Sequence, residues 1–389
     1  MNKRLKAVSI LMAAGLLAAC GNEEAAPKKT AKTETAAAKT EQATEATLAL
    51  ELETFSTIKA ELDRAKEGKT VDWKKVQSLY EEKMQKNVGQ TAPEIEQVIS
   101  SAIAGIQSQE LDAGVARQLI DKGMQSYFYK LQKSTQNTAE EAVKAGNKDE
   151  AEKALEDISS MATTVFIPTA EKRDASYGFK NEESIAQAIN SGLDAEKSAI
   201  AADSAADFGV AKQLTDKSIY RTFYLAALGY SQKVEDGVKA KADQAELQME
   251  QAEGYGFLLA IEESLAGGDE AATARLKEIY DISKTKPEDV KYAEVESLFA
   301  KALTAKINGY HTEAQAALDK KEVDTARVEA MEANMFLIAL KPTLTGKLGE
   351  AETKKLLAEA NTWYAQIEKE DEAAKTTSAQ IVETLKSLN

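Results

Sequence analysis

Two sixteen-residue stretches, GVARQLIDKGMQSYFY at 114–129 and GVAKQLTDKSIYRTFY at 209–224, agree at nine positions across an offset of 95 residues. A helix-forming composition explains shared alanine and lysine. It does not explain Gly-Val-Ala and Phe-Tyr in matching places. In the first stretch Val115, Leu119, Met124 and Phe128 advance by four, five and four residues, and Val210, Leu214, Ile219 and Phe223 do the same in the second. That spacing places each set on one face of an α-helix. The chain must therefore bury two equivalent apolar stripes, with Phe128 and Phe223 as equivalent core residues. Gly123 and Ser218 fall on the same face, where a neighbouring helix can approach. Lys122 and Lys217 fall off the stripe, are expected at the surface, and should tolerate alanine. Tyr127, Tyr129, Tyr220 and Tyr224 recur with the repeat, and their spacing suits core and rim better than a ligand groove.

The rest of the chain agrees with a helical fold. Glycine and proline number only 20 and 5 in 389 residues, while Ala, Glu, Lys, Leu and Gln dominate. These are strong helix formers, and period-two Val-Ile-Thr alternation is almost absent. Periodicity and punctuation predict helices near 48–67, 72–87, 94–109, 112–146, 149–167, 182–203, 207–242, 243–266, 269–282, 288–319, 322–341 and 350–386. Pro93, Pro168, Pro287 and Pro342 fall at the breaks. Weaker echoes link MATTVFIPT at 161–169 with MFLIALKPT at 335–343, and AGNKDEAEKAL at 145–155 with AGGDEAATARL at 266–276. In the latter pair Asp149 and Asp269 are candidate helix caps. The expected fold is all-α: antiparallel helical-bundle modules, internally duplicated with a repeat of about 95 residues rather than the shorter period of common helical arrays. Module 1 would span 48–190 and module 2 191–389, the latter divisible into 191–287 and 288–389.

The amino terminus reads differently. Lys3, Arg4 and Lys6 precede an apolar run from Ala7 to Ala19. Thirteen helical residues rise roughly 20 Å, short of a hydrocarbon core of about 30 Å. A positive start, a short apolar core and small residues describe a secretory signal peptide over 1–19. Its end, Leu17-Ala18-Ala19-Cys20, resembles the lipobox of bacterial lipoproteins. That resemblance implies acylation of Cys20, the only cysteine in the chain, cleavage before it, and attachment to the extracytoplasmic face of a bacterial membrane. Residues 20–47 hold no large apolar residue until the end and are expected to be a disordered tether. Removal of 1–19 takes away Lys3, Arg4 and Lys6 and shifts the formal charge from −15 to −18. So acidic a chain is a poor partner for nucleic acid.

Familiar reactive arrangements are missing. With Cys20 acylated there is no thiol nucleophile or thiolate metal site. The single histidine, His311, excludes a two-histidine zinc helix and a paired di-iron site. No phosphate-loop, dinucleotide or nucleophile-elbow motif occurs. One stretch, NGYHTEAQ at 308–315, resembles half of the GxHxxE motif of imelysin-like iron-uptake lipoproteins, which are also all-α and duplicated. Gly309, Tyr310 and His311 match, but the acid is Glu313, two residues on rather than three. Positions i and i+2 point about 200° apart on a helix, so His311 and Glu313 should not reach one ion.

These observations imply a membrane-anchored helical binding or scaffold protein with no catalytic residues, no cofactor and no metal site. Its partners would be the membrane, through Cys20, and a protein or small ligand that the sequence does not specify. A metal- or iron-handling lipoprotein, with weak ligand contacts at His311, Glu313 and Tyr310, is the alternative.

Overall fold

The computed structural model describes residues 34–386, with side chains from residue 47; the signal segment 1–19, Cys20 and residues up to 33 lie outside the described residues. The two repeated stretches form the middle of the two longest helices, α5 (Ala113–Lys144) and α9 (Ala205–Ala240). Each starts at a side-chain cap. Asp112 accepts from the amides of Gly114 and Val115, and Ser204 accepts from Asp207. The two run antiparallel: Tyr129 meets Asp216, and further along Asn137 meets Lys212.

Other helices wrap this pair. The amino-terminal side is formed by α1 (Glu34–Asp63), α2 (Trp73–Lys83), α3 (Gln85–Thr91) and α4 (Pro93–Gln107). Packed on α5 are α4 and α6 (Lys148–Met161); α7 (Ile167–Tyr177) and α8 (Ile185–Ala201) follow, with α8 laid along α9. Helix α10 (Gln244–Ala266) touches both α5 and α9, and α11 (Glu270–Tyr280) leads into α12 (Tyr292–Asp319). Helix α13 (Val323–Ala339) packs on α9 and α12, and α14 (Lys341–Leu348), α15 (Glu350–Glu368) and α16 (Ala373–Lys386) close the carboxy-terminal end. Among the described residues there is no strand, and no helix is long and apolar enough to cross a membrane.

The stripe expectation holds for both phenylalanines. Phe128 and Phe223 are fully buried, Phe128 edge-on to Phe55 at 5.5 Å and Phe223 against Tyr129 at 5.4 Å. All four repeat tyrosines are buried too. Gly123 does admit a neighbour: a Cβ there would meet Ile99 of α4 at 2.7 Å. The stripes are not equally covered, however. Val115 and Leu119 are buried, whereas Val210 and Leu214 are half-buried and line a surface groove with α8.

Several boundaries differ from expectation. Helix α1 begins at Glu34, inside the segment read as a tether, because an alanine-rich stretch can propagate a helix back from a packed end; Leu48 is buried. Pro168 does not stop its helix. Residues 162–166 make a wide π turn, and Pro168 then sits in the first turn of α7, where its missing N–H breaks no bond. Pro342 occupies the same place in α14. Asn147, not Asp149, caps α6, while Asp269 caps α11 as expected. The stretch 350–386 divides at 369–372, where Glu370 takes a left-handed φ of 52°. A module boundary at 190/191 would cut α8, and one continuous core runs from Leu48 to Leu385 across it. A second, smaller core of Val143, Leu155, Ile158, Ile200 and Phe208 fills the end where α5, α6, α8 and α9 meet.

Candidate functional site

Lys122 and Lys217 are not surface residues; each is 7% exposed. Lys122 Nζ lies 2.7 Å from Asp121 and 3.3 Å from Glu253 on α10. Lys217 Nζ pairs with the adjacent Asp216 and lies 2.8 Å from Glu332 on α13. One helical turn after each glutamate comes a phenylalanine under the ammonium, Phe257 at 5.0 Å and Phe336 at 5.3 Å. The same Asp-Lys dipeptide on a central helix thus meets the same Glu-x-x-x-Phe on a neighbour, twice. The helix period explains the miss in the sequence reading. Lys122 faces away from the α5 stripe, but a second helix covers that side.

Burial alone would push these carboxyls up and these ammonium groups down. The partners win. Burial raises Asp121, but Lys122 and the Gln125 amide outweigh it and hold the carboxyl at about 2. Asp216 is held at about 2 in the same way, by Lys217, Lys133 and the Tyr129 hydroxyl. For both lysines, desolvation is overcome by two carboxylates, so they stay charged. At the glutamate end the two networks match, since Tyr230 bonds Glu253 and stacks on Phe257 with centroids 6.0 Å apart; they differ at the aspartate end. Gln125 donates to Asp121 and receives the hydroxyl proton of Thr169. Around Lys217 Tyr129 donates to Asp216, and Tyr310 donates to Glu332. Tyr310 also stacks on Phe336 with centroids 5.8 Å apart, and Lys306 stands over both rings at 5.2 and 5.5 Å.

This places the sequence-selected residues. Tyr310 and the exposed Glu313 face α13, where Glu313 and Glu332 flank Glu329. Burial and those two carboxylates push Glu329 up to about 7. His311 is elsewhere. It is 3% exposed, stacked on Trp363 of α15 at 3.8 Å, with Nδ1 2.8 Å from Ser378 Oγ of α16. Burial pulls its pKa down to about 4, so the ring is neutral. His311 is a core residue, and it does not meet Glu313. Among the described residues no group of three or more His, Cys, Asp or Glu side chains is placed to hold a metal ion.

Two concavities mark the surface. A groove of about 500 Å³ between α8 and α9 is lined by Ala195, Ala199, Ala211, Val210 and Leu214. A cleft of about 590 Å³ between α4, α5, α10 and α11 is lined by Glu94, Lys130, Glu262, Glu263, Glu270 and Lys277. Its charges engage one another: Lys130 reaches Glu94 at 3.0 Å and Glu263 at 3.3 Å, and Lys277 reaches Glu262 at 2.8 Å. A further polar group is internal. Glu196 of α8 is fully buried and pushed up to about 7 by burial, against the opposing pull of Thr215 and Gln136.

The fold and these contacts define an all-α protein of packed antiparallel helices built around twin buried ion networks. No family model, curated protein or solved structure matches the chain.

Proposed function

We propose that the protein is a lipid-anchored, extracytoplasmic helical scaffold or binding protein. The observation that carries this reading is Leu17-Ala18-Ala19-Cys20 behind Lys3, Arg4, Lys6 and a short apolar run. Two acyl chains or more would hold the chain stably where one gives only marginal binding. The buried ions support a structural part for the helices: Lys122 and Lys217 are each enclosed by two carboxylates and a ring, with no face left for a substrate. We also read the twin networks as the mark of an internal duplication. The offset is 95 residues for Asp-Lys and 79 for Glu-x-x-x-Phe. A partner would meet the outer surface, where the α4–α5–α10–α11 cleft offers more carboxylates than lysines and suits cationic groups.

Fractionation and metabolic labelling with a fatty acid test the anchor. Cys20→Ser should move the protein out of the membrane fraction and abolish its label without unfolding it. A substituted chain that stays in the membrane and keeps its label ends the proposal. The iron-handling alternative would have to rely on Tyr310 and Glu313 without His311, which is buried against Trp363. Stoichiometric iron in protein purified from its own host would favour it.

A further inference from the structure

Glu196 of α8 is fully enclosed, 0% exposed, between α5 and α9. Its Oε1 accepts from Gln136 Nε2 of α5 at 2.8 Å, and the Thr215 hydroxyl of α9 also acts on it. Both donors are neutral. The charged groups of the surrounding helices are engaged elsewhere. On α9, Lys212 reaches Glu140 at 2.8 Å and Asn137 at 2.6 Å, and Asp216 faces Lys217. On α5, Glu140 is shared between Lys212 and Lys144, and Lys133 stands over the Tyr129 ring. Helix α6 meets this end of α8 with Leu155 and Ile158, and its half-buried Lys153 and Asp157 have partners of their own. Asp174 of α7 is taken by Ser184 and the amides of Ile185 and Ala186 at the opposite end of α8, where Glu183 pairs with Lys341. Asp194 and Lys197 of α8 itself are exposed. Glu196 thus makes no ion pair among the described residues.

The packing around this carboxyl is close. One turn before Glu196, a Cβ at Gly192 would meet Thr215 Oγ1 at 2.3 Å and the Thr215 amide nitrogen at 2.7 Å, so only glycine lets α8 lie this near α9. An ionised carboxylate costs far more to bury than a carboxylic acid when no cation offsets it. Burial is the largest influence on Glu196 and outweighs the pull of Thr215 and Gln136. The neutral acid therefore fits the closed seam. The carboxylate is relieved only when α8 gives way and water enters. We propose that Glu196 is a proton-operated latch: as a carboxylic acid it fastens α8 to α5 and α9, and on losing its proton it loosens α8, which forms one wall of the α8–α9 groove.

Glu196 titrates at about 7 in the folded chain against 4.5 when exposed. Stability from this group is therefore complete below 4.5 and is lost as pH rises to 7, the unfolding constant growing up to about tenfold per pH unit. His311 acts in the opposite direction over part of this range and Glu329 in the same direction, so the purified protein is compared at each pH with Glu196→Gln, which keeps the volume and removes the charge. Chemical denaturation should show the rise in the unsubstituted protein and its loss in the variant. Amide exchange, corrected for its intrinsic pH dependence, should show protection of α8 falling between about pH 6 and pH 8 while α2 stays level; in Glu196→Gln both stay level. Parallel stability–pH curves in the two proteins would overturn the latch. So would α8 protection that stays level through this range in the unsubstituted protein, or that falls equally in α2. The exchange measurement decides the matter even if the variant fails to fold.

Discussion

The Lys122 and Lys217 networks use the same four residue types in the same order, yet they sit in different company. Around Lys122 the aspartate leads to amide and hydroxyl groups, Gln125 and Thr169, and the neighbouring stripe residues Val115 and Leu119 are buried. Around Lys217 the aspartate leads to a tyrosine, Tyr129, and beyond Glu332 lie the half-buried Glu329 and the exposed Glu313. There the stripe residues Val210 and Leu214 border an open groove. Helix α4 packs along α5 and α8 along α9, yet the α9 stripe stays half-buried at Val210 and Leu214. A repeated helix thus keeps its ionic centre while its periphery is set by what packs next to it.

The largest expected effect tests the shared centre. Lys122→Ala and Lys217→Ala each leave a buried aspartate and a half-buried glutamate without their cation, so each should destabilise by roughly 3–5 kcal/mol. Chemical denaturation measures this, and a change near zero in either would show that its network is open to water. Replacing a whole triad, such as Asp121, Lys122 and Glu253, by apolar residues of similar size should recover most of the loss, since burying a pair is itself costly.

The second test separates the two peripheries. Leu119→Ala removes a buried side chain and should cost about 2–5 kcal/mol. Leu214→Ala, at the groove, should fall within about 1 kcal/mol of wild type. Equal losses would mean that the groove is closed in solution. Phe128→Ala and Phe223→Ala, by contrast, should both cost roughly 3–5 kcal/mol, because both rings are fully enclosed.

One pH effect belongs to the carboxy-terminal region. His311 titrates near 4 in the folded chain against 6.5 when exposed, so the unfolded state takes up its proton first as pH falls. Stability from this group is complete above 6.5 and is lost as pH drops toward 4, by about 3 kcal/mol in all. His311→Phe should flatten that part of the stability–pH curve while keeping the stack on Trp363. An unchanged slope in the variant would assign it to other groups.

The smallest effect distinguishes two caps. Asn147→Ala should cost about 1 kcal/mol, because Asn147 holds the Glu150 amide at the start of α6. Asp149→Ala, already inside the helix, should cost less, its acidic charge near the helix start adding only about 0.3–1 kcal/mol.

The sequence by itself determined the helical class, most helix positions, the two phenylalanine anchors and the Asp269 cap. These follow from local propensity, a 3.6-residue period and punctuation, all readable within one turn or two. It also held an overlooked signal: EGYGFLLA at 253–260 and EANMFLIA at 332–339 share Glu, Phe, Leu and Ala in place, as the Asp-Lys pair is shared between α5 and α9. Only the tertiary structure decided that these pieces meet. Lys122 and Glu253 are 131 residues apart, and no local rule says which helix covers the polar side of α5. The same holds for His311, whose neighbours Thr312 and Glu313 lie exposed while its ring turns to Trp363, and for Glu196, flanked in sequence by Ala195 and Lys197 yet enclosed by α5 and α9. Which face of a helix becomes interior depends on every helix packed against it, and that is a property of the assembled fold.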